Sequence, residues 1–179
     1  MFDPASLPVA ELRRAFEGSG LECTVWPYFR RGGIFTNRRQ KSVAHLRQCV
    51  EISRELGAHL IGGPVFAPIG YIPARRRNAD GWRWAVEVFQ ALGATLDECD
   101  IMLSIEPVNR SETFFLRTAS DAKAFCDAIN NPRIGVTLDT FHANIEEKNV
   151  ASCDTGAWIS TSACPRKRKR SRPLWLRAC

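Results

Sequence analysis

Two carboxylates stand where apolar runs stop. Ile101–Ile105 is almost wholly apolar and ends in Glu106-Pro107, and Ile134–Leu138 ends in Asp139. Short apolar runs bounded by turn residues read as buried strands. Reactive groups collect at the carboxyl ends of neighbouring parallel strands. Carboxylate oxygens there suit a hard divalent cation of the Mg/Mn kind, and two acids at adjacent strand ends converge on one ion without any loop folding around it. The simpler role for both is to cap the segments that follow. Glu112, six residues beyond Glu106, and His142, three beyond Asp139, are close enough in sequence to reach a polar ligand held at the strand ends. A histidine at such a place is also an ordinary surface or core residue.

The elements that must position these groups alternate along the chain. Pro8 suits a first helical turn, and Val9, Leu12 and Phe16 repeat at helical spacing up to Gly18 and Gly20. Leu21–Phe29 reads as a strand running into a loop. Val43, Leu46, Val50 and Ile52–Leu56 mark a helix stopped by Gly57, and Ala58–Ile61 is a short strand ending in Gly62-Gly63-Pro64. Trp82, Ala85, Val86, Phe89 and Leu92 share one helical face. Thr118 with Asp121 resembles a capping box that opens a helix through Ala122, Phe125, Cys126 and Ile129. Apolar strands between amphipathic helices predict an α/β fold with about four parallel strands covered by helices.

Composition narrows the function classes. The net charge of +6 is concentrated in residues 151–179, which hold seven Lys/Arg and a single acid, Asp154, leaving a neutral body. A neutral body gives no electrostatic reason to expect nucleic-acid binding. No apolar run approaches the roughly 18 residues a membrane span needs. Met1-Phe2-Asp3-Pro4 lacks the basic and apolar regions of a signal peptide, so the expectation is a cytoplasmic chain with no membrane partner. Cys23, Cys49, Cys99 and Cys126 are scattered through the body without C-x-x-C spacing and are expected as small buried thiols. Arg75-Arg76-Arg77 reads as a solvated loop, Gly62-Gly63-Pro64 as close backbone packing, and at least one of Trp82 and Trp84 as core.

The stretch IEPVNRSETFFLRTASDAKAFCDAINNPRIGVTLDTFHANIEEKN closely resembles the D-tagatose 3-epimerase/D-psicose 3-epimerase family, within the xylose-isomerase-like TIM barrels. ELGAHLIGGPVFAPIGY, followed by RRRNADGWRWAVEVFQALG, is similar to it too, and the resemblance covers about Phe2 to Val150. It implies a partial (β/α) barrel. It also implies that Glu106 binds a metal and acts as acid/base at the epimerised carbon, that Asp139 is a second metal ligand, and that Glu112 and His142 hold the sugar's oxygens. The implied cofactor is a divalent metal, Mn2+ with Mg2+ or Co2+ as substitutes. The implied partner is a small-molecule ketose, and full-length members are implied to form homo-oligomers. The implied reaction is epimerisation at C3 through an enediolate, which needs acid/base groups on both faces of the carbon.

Some features depart from that pattern. A TIM barrel has eight strands in about 250 residues, and four strands are read here. The resemblance places a metal-binding histidine and a second catalytic glutamate on later strands, yet no histidine follows His142 and no glutamate follows Glu147. The expectation is therefore an inactive chain with open sheet edges and an uncovered apolar interior. Residues 1–150 are expected as the partial barrel. Residues 151–179 show no helix or strand period and are expected as an unrelated, disordered basic tail, of the kind that a frameshift near codon 150 produces. Two other readings compete. One is a different enzyme on the same architecture, such as a hydroxypyruvate isomerase, an inosose dehydratase or an endonuclease-IV-like protein. The other is a binding protein that uses the basic run Arg166–Arg170.

Overall fold

A computed structural model describes residues 4–27, 34, 39–73 and 77–150. Residues 151–179, and with them the expected basic tail, lie outside the described residues, as do Arg75 and Arg76. After a 3-10 turn at Pro4–Ser6 come α1 (Val9–Phe16), β1 (Thr24–Val25), α2 (Arg39–Glu55), β2 (Leu60–Gly63), α3 (Ala79–Gln90) and α4 (Gly93–Cys99). They are followed by β3 (Met102–Ile105), α5 (Ala119–Ile129), β4 (Ile134–Val136) and α6 (Thr140–Glu146). The strands form one parallel sheet in the order β1-β2-β3-β4. Each next strand lies beside the last with helix between them, which is the repeating unit of a (β/α) barrel. None of the described helices is long and apolar enough to cross a membrane.

Local chemistry explains most boundaries. Asn78 caps α3 by accepting from the Gly81 N–H at 2.9 Å, and Thr118 caps α5 by accepting from the Asp121 N–H at 3.1 Å. Gly57 follows α2 in the left-handed region, φ +75°, where glycine carries no Cβ penalty. Asp100 and Asn130, the residue types that best tolerate this conformation, end α4 and α5 at φ 54° and 53°.

Three segments differ from the sequence expectation. Within Leu21–Phe29, expected as a strand running into a loop, β1 occupies Thr24–Val25 among the described residues, where the pairing is with Leu60 and Ile61; residues 28 and 29 lie outside the described residues. β2 runs on to Gly63, since Gly62 and Gly63 pair with Ser104 and Ile105. The helical face that ends at Leu92 is followed at once by a separate helix, α4, which the Leu92-Gly93 junction sets off from α3. Arg77 also departs from a solvated loop. It stacks on Trp82 at 4.7 Å, pairs with Asp121 at 3.0 Å and donates to the Phe115 carbonyl at 3.0 Å. Cys49 and Cys99 are buried free thiols as expected, whereas Cys23 and Cys126 are only half-buried.

The sheet has two faces of different character. Side chains alternate along a strand, and Leu103, Ile105 and Ile134 join the apolar core with Phe89, Phe115 and Phe125. The opposite face carries Gly62, Ser104 and Gly135 in register across three strands. By the same alternation it carries Glu106, Thr137 and Asp139. Ser104 and Thr137, both buried, are hydrogen-bonded to one another on this face. The inner face of the described strands is thus polar toward its carboxyl edge.

Trp26 lies over the two glycines of β2. A Cβ on Gly63 would sit 2.8 Å from Trp26 Cε3, and Gly63 has φ +116°. Gly63→Ala is therefore expected to cost ~2 kcal/mol, combining backbone strain with displacement of the indole. A urea titration reads this as a lower midpoint. An unchanged midpoint would mean that Trp26 swings clear and the backbone relaxes.

Candidate active site

The alternation that exposes Ser104 to the inner face carries Glu106 to the same side, just past the end of β3. Its residue is 3% exposed, and its backbone N–H is held by the Gly63 carbonyl at 3.0 Å. Asp139 follows β4 on the same face. Its Oδ1 accepts from the Phe141 N–H at 2.8 Å, making it the N-cap of α6. The capping role considered from sequence is therefore real for Asp139, and it engages one carboxylate oxygen while a second remains. Because Asp139 is the cap, the first turn of α6 brings His142 back beside it. A short helix after Asp139 was not among the expected elements; the Asp-Thr-Phe-His-Ala pattern is the signal that marks it.

Three of the four expected site residues come together here. One ligand-type atom each from Glu106, Asp139 and His142 lies within 4.8 Å of the others. Glu112 approaches through His142, with Oε1 3.9 Å from Nδ1. Burial pushes the Glu106 carboxyl up to about 7 from an ordinary 4.5, and the negative charges of Asp139 and Glu112 add to the rise. This donor set fits a divalent cation. Two carboxylates crowded at one point repel each other, and a hard cation accepting their oxygens relieves that repulsion.

The segment between Glu106 and Glu112 adds residues that sequence reasoning did not single out. Asn109, 4% exposed, donates through Nδ2 to Glu112 Oε1 at 2.7 Å and lies 2.9 Å from His142 Nδ1. Its carbonyl accepts from the N–H groups of Glu112 and Thr113, closing a turn. Arg110 donates from backbone and side chain to Glu146, at 2.7 and 2.8 Å, tying this loop to α6. That pairing holds the Glu146 carboxyl below its ordinary value. Asn109 and Arg110 stand inside the IEPVNRSET motif. The partners that tie them to α6, His142 and Glu146, lie more than thirty residues away, so neither spacing nor period points to these links.

A parallel sheet wound with helices, each strand beside the last and acidic groups at its carboxyl edge, defines the (β/α)-barrel class of protein. Residues 1–163 match the xylose isomerase-like TIM barrel family, and the chain belongs to it. It is 30% identical over 147 residues to the probable ketose 3-epimerase of Synechocystis sp., covering 78% of this chain and 50% of that protein. It is 37% identical over 95 residues to the D-psicose 3-epimerase of Enterocloster bolteae, covering 52% of this chain and 31% of that one. A solved L-ribulose 3-epimerase superposes with a TM-score of 0.80 at 26% identity, covering 88% of this chain and 54% of the other. The chain spans about half or less of the length of the curated relatives it matches.

Proposed function

We propose that this chain carries the metal-binding edge and one acid/base face of a ketose 3-epimerase site, and that by itself it does not turn over sugar. What carries the reading is the meeting of Glu106 and Asp139 at adjacent strand ends, with Glu106 buried and proton-retaining near neutral pH. The names of the most similar relatives point the same way. Glu106 and Asp139 would hold a divalent cation, Mn2+ by preference with Mg2+ or Co2+ as substitutes. When bound, the cation supplies Lewis acidity toward a ketose carbonyl and its neighbouring hydroxyl.

Glu106 takes the proton from the C3 carbon. The C–H bond breaks, an O–H bond forms on the carboxylate, and the electron pair passes into an enediolate. A carboxyl with a pKa near neutrality suits both directions of that transfer. Glu112 and His142 hold the sugar's oxygens. Inversion needs a second acid/base group on the opposite face of the carbon. Glu106 is the one acid/base group proposed here, and a proton that it returns goes back to the face it left.

The test uses the purified chain with Mn2+ and D-fructose or D-tagatose. Added Mn2+ is expected to raise the midpoint of thermal unfolding, and both Glu106→Gln and Asp139→Asn to abolish that rise. Chromatography of the sugars is expected to show no C3 epimer. A Mn2+-independent midpoint would remove the metal reading. Epimer formed by this chain alone would show that a second proton donor reaches the other face.

A further inference from the structure

His142 is close enough to the two carboxylates to be counted as a third metal ligand. The hydrogen bonds around it assign it differently, and Asn109 is the reason. The orientation of the Asn109 amide follows from its neighbours. Oδ1 accepts from the Ser111 N–H at 2.9 Å, so the opposite end, facing Glu112 and His142, is the NH2 group. The Asn109 backbone N–H points at His142 Nδ1 at 3.2 Å, and Nδ2 lies 2.9 Å from the same nitrogen. A backbone N–H can only donate. Nδ1 must therefore accept, which means it carries no hydrogen, and the neutral ring holds its hydrogen on Nε2.

Neither ring nitrogen then offers a lone pair to a cation. The lone pair of Nδ1 is engaged by Asn109, and Nε2 is protonated. We propose that Asn109 is a positioning residue that locks His142 as an Nε2–H donor and so keeps it from acting as a metal ligand. Resting on the sugar-binding reading above, this makes the ring a donor to an acceptor oxygen of the substrate. The same amide steadies Glu112 through its second hydrogen. One buried side chain thus sets the roles of both residues that hold the sugar, leaving the cation to Glu106 and Asp139.

The experiment reads the tautomer directly, without sugar. The chain has three histidines, His45, His59 and His142. Labelled with 15N at histidine and measured by long-range 1H–15N correlation at mildly alkaline pH, the His142 signals are assigned by their loss in His142→Gln. The Nε2–H form is expected to dominate in the unmodified chain. Asn109→Ala keeps the backbone donor but removes the amide, and is expected to shift the tautomer ratio toward Nδ1–H by about fivefold, the worth of one hydrogen bond. In Asn109→Asp the side chain can accept but not donate, and the Nδ1–H form is expected to prevail. Added Mg2+ is expected to leave the Nε2 hydrogen in place. A dominant Nδ1–H form in the unmodified chain would overturn the proposal. So would a ratio unmoved in Asn109→Ala, or loss of the Nε2 hydrogen on adding Mg2+. The metal-free tautomer signals report on Asn109 alone, so their failure leaves the Glu106–Asp139 reading standing. Equally, a chain that ignores Mn2+ leaves the tautomer result intact.

Discussion

Glu106→Gln is expected to stabilise the metal-free chain at alkaline pH by on the order of 3 kcal/mol, the worth of the shift in its carboxyl. The folded carboxyl is pushed up to about 7, against an ordinary 4.5. Below about 4.5 both folded and unfolded chains hold the proton, and the native charge gives no penalty. Between that point and about 7 the unfolded chain releases its proton while the folded chain keeps it, so stability falls as pH rises. Above that window the buried charge is present in full, against Asp139 and Glu112. Glutamine has the same shape and no charge, so its stability lacks this slope. Urea titrations across the pH range, in the presence of a chelator, measure the difference. Mn2+ is expected to act on one chain alone, raising the alkaline stability of the unmodified one and leaving the glutamine variant where it was. Two curves that run parallel from acid to alkaline pH would show that Glu106 is hydrated in solution, and would remove it as the acid/base group.

Phe125→Ala is expected to cost about 3–5 kcal/mol, the range for truncating a buried aromatic. Phe125 is fully buried on α5 and meets Trp82, Phe89 and Phe115 edge to face, at 5.3, 5.4 and 5.6 Å between ring centroids. These rings join α3, α5 and the loop after β3, the loop that also carries Asn109 and Glu112. A loss of that size is a large part of the stability of an ordinary domain. The variant is expected to lose near-UV dichroism first, with helical far-UV signal retained. Asp127→Ala, on the exposed face of the same helix, breaks only the solvated pair with Lys123 and is expected to change stability by about 0.5 kcal/mol or less. Equal effects from the two substitutions would mean that the aromatic cluster is not what holds α5 to the sheet.

Much of the fold was legible because its signals are local. The apolar run Ile101–Ile105, bounded by turn residues, reads as a buried strand and is one, and its end placed Glu106 at the edge where chemistry gathers. Thr118 announced α5, and its hydroxyl does accept from Asp121. Other local signals misled. Leu21–Phe29 reads as a strand running into a loop, but among its described residues the paired part is Thr24–Val25, because strand length is set by what a neighbour offers. Arg77 looked like one of three solvated arginines until Trp82 and Asp121, from different elements, were seen to hold it.

The residue types and their spacing alone determined an α/β chain with acids at consecutive strand ends, and the motifs around Glu106 and Asp139 pointed to the family. Periodicity carries that information because each side chain's face depends only on its own strand or helix. The tertiary structure alone decided that Asp139 both caps α6 and faces Glu106, that the inner face holds a Ser104–Thr137 pair, and that Asn109 fixes the hydrogen of His142. Each of these depends on groups that register and chain reversal bring together, two of them across thirty-three residues of sequence. A proton's location on a ring is set by the nearest donor, and no pattern in the chain says which donor that will be.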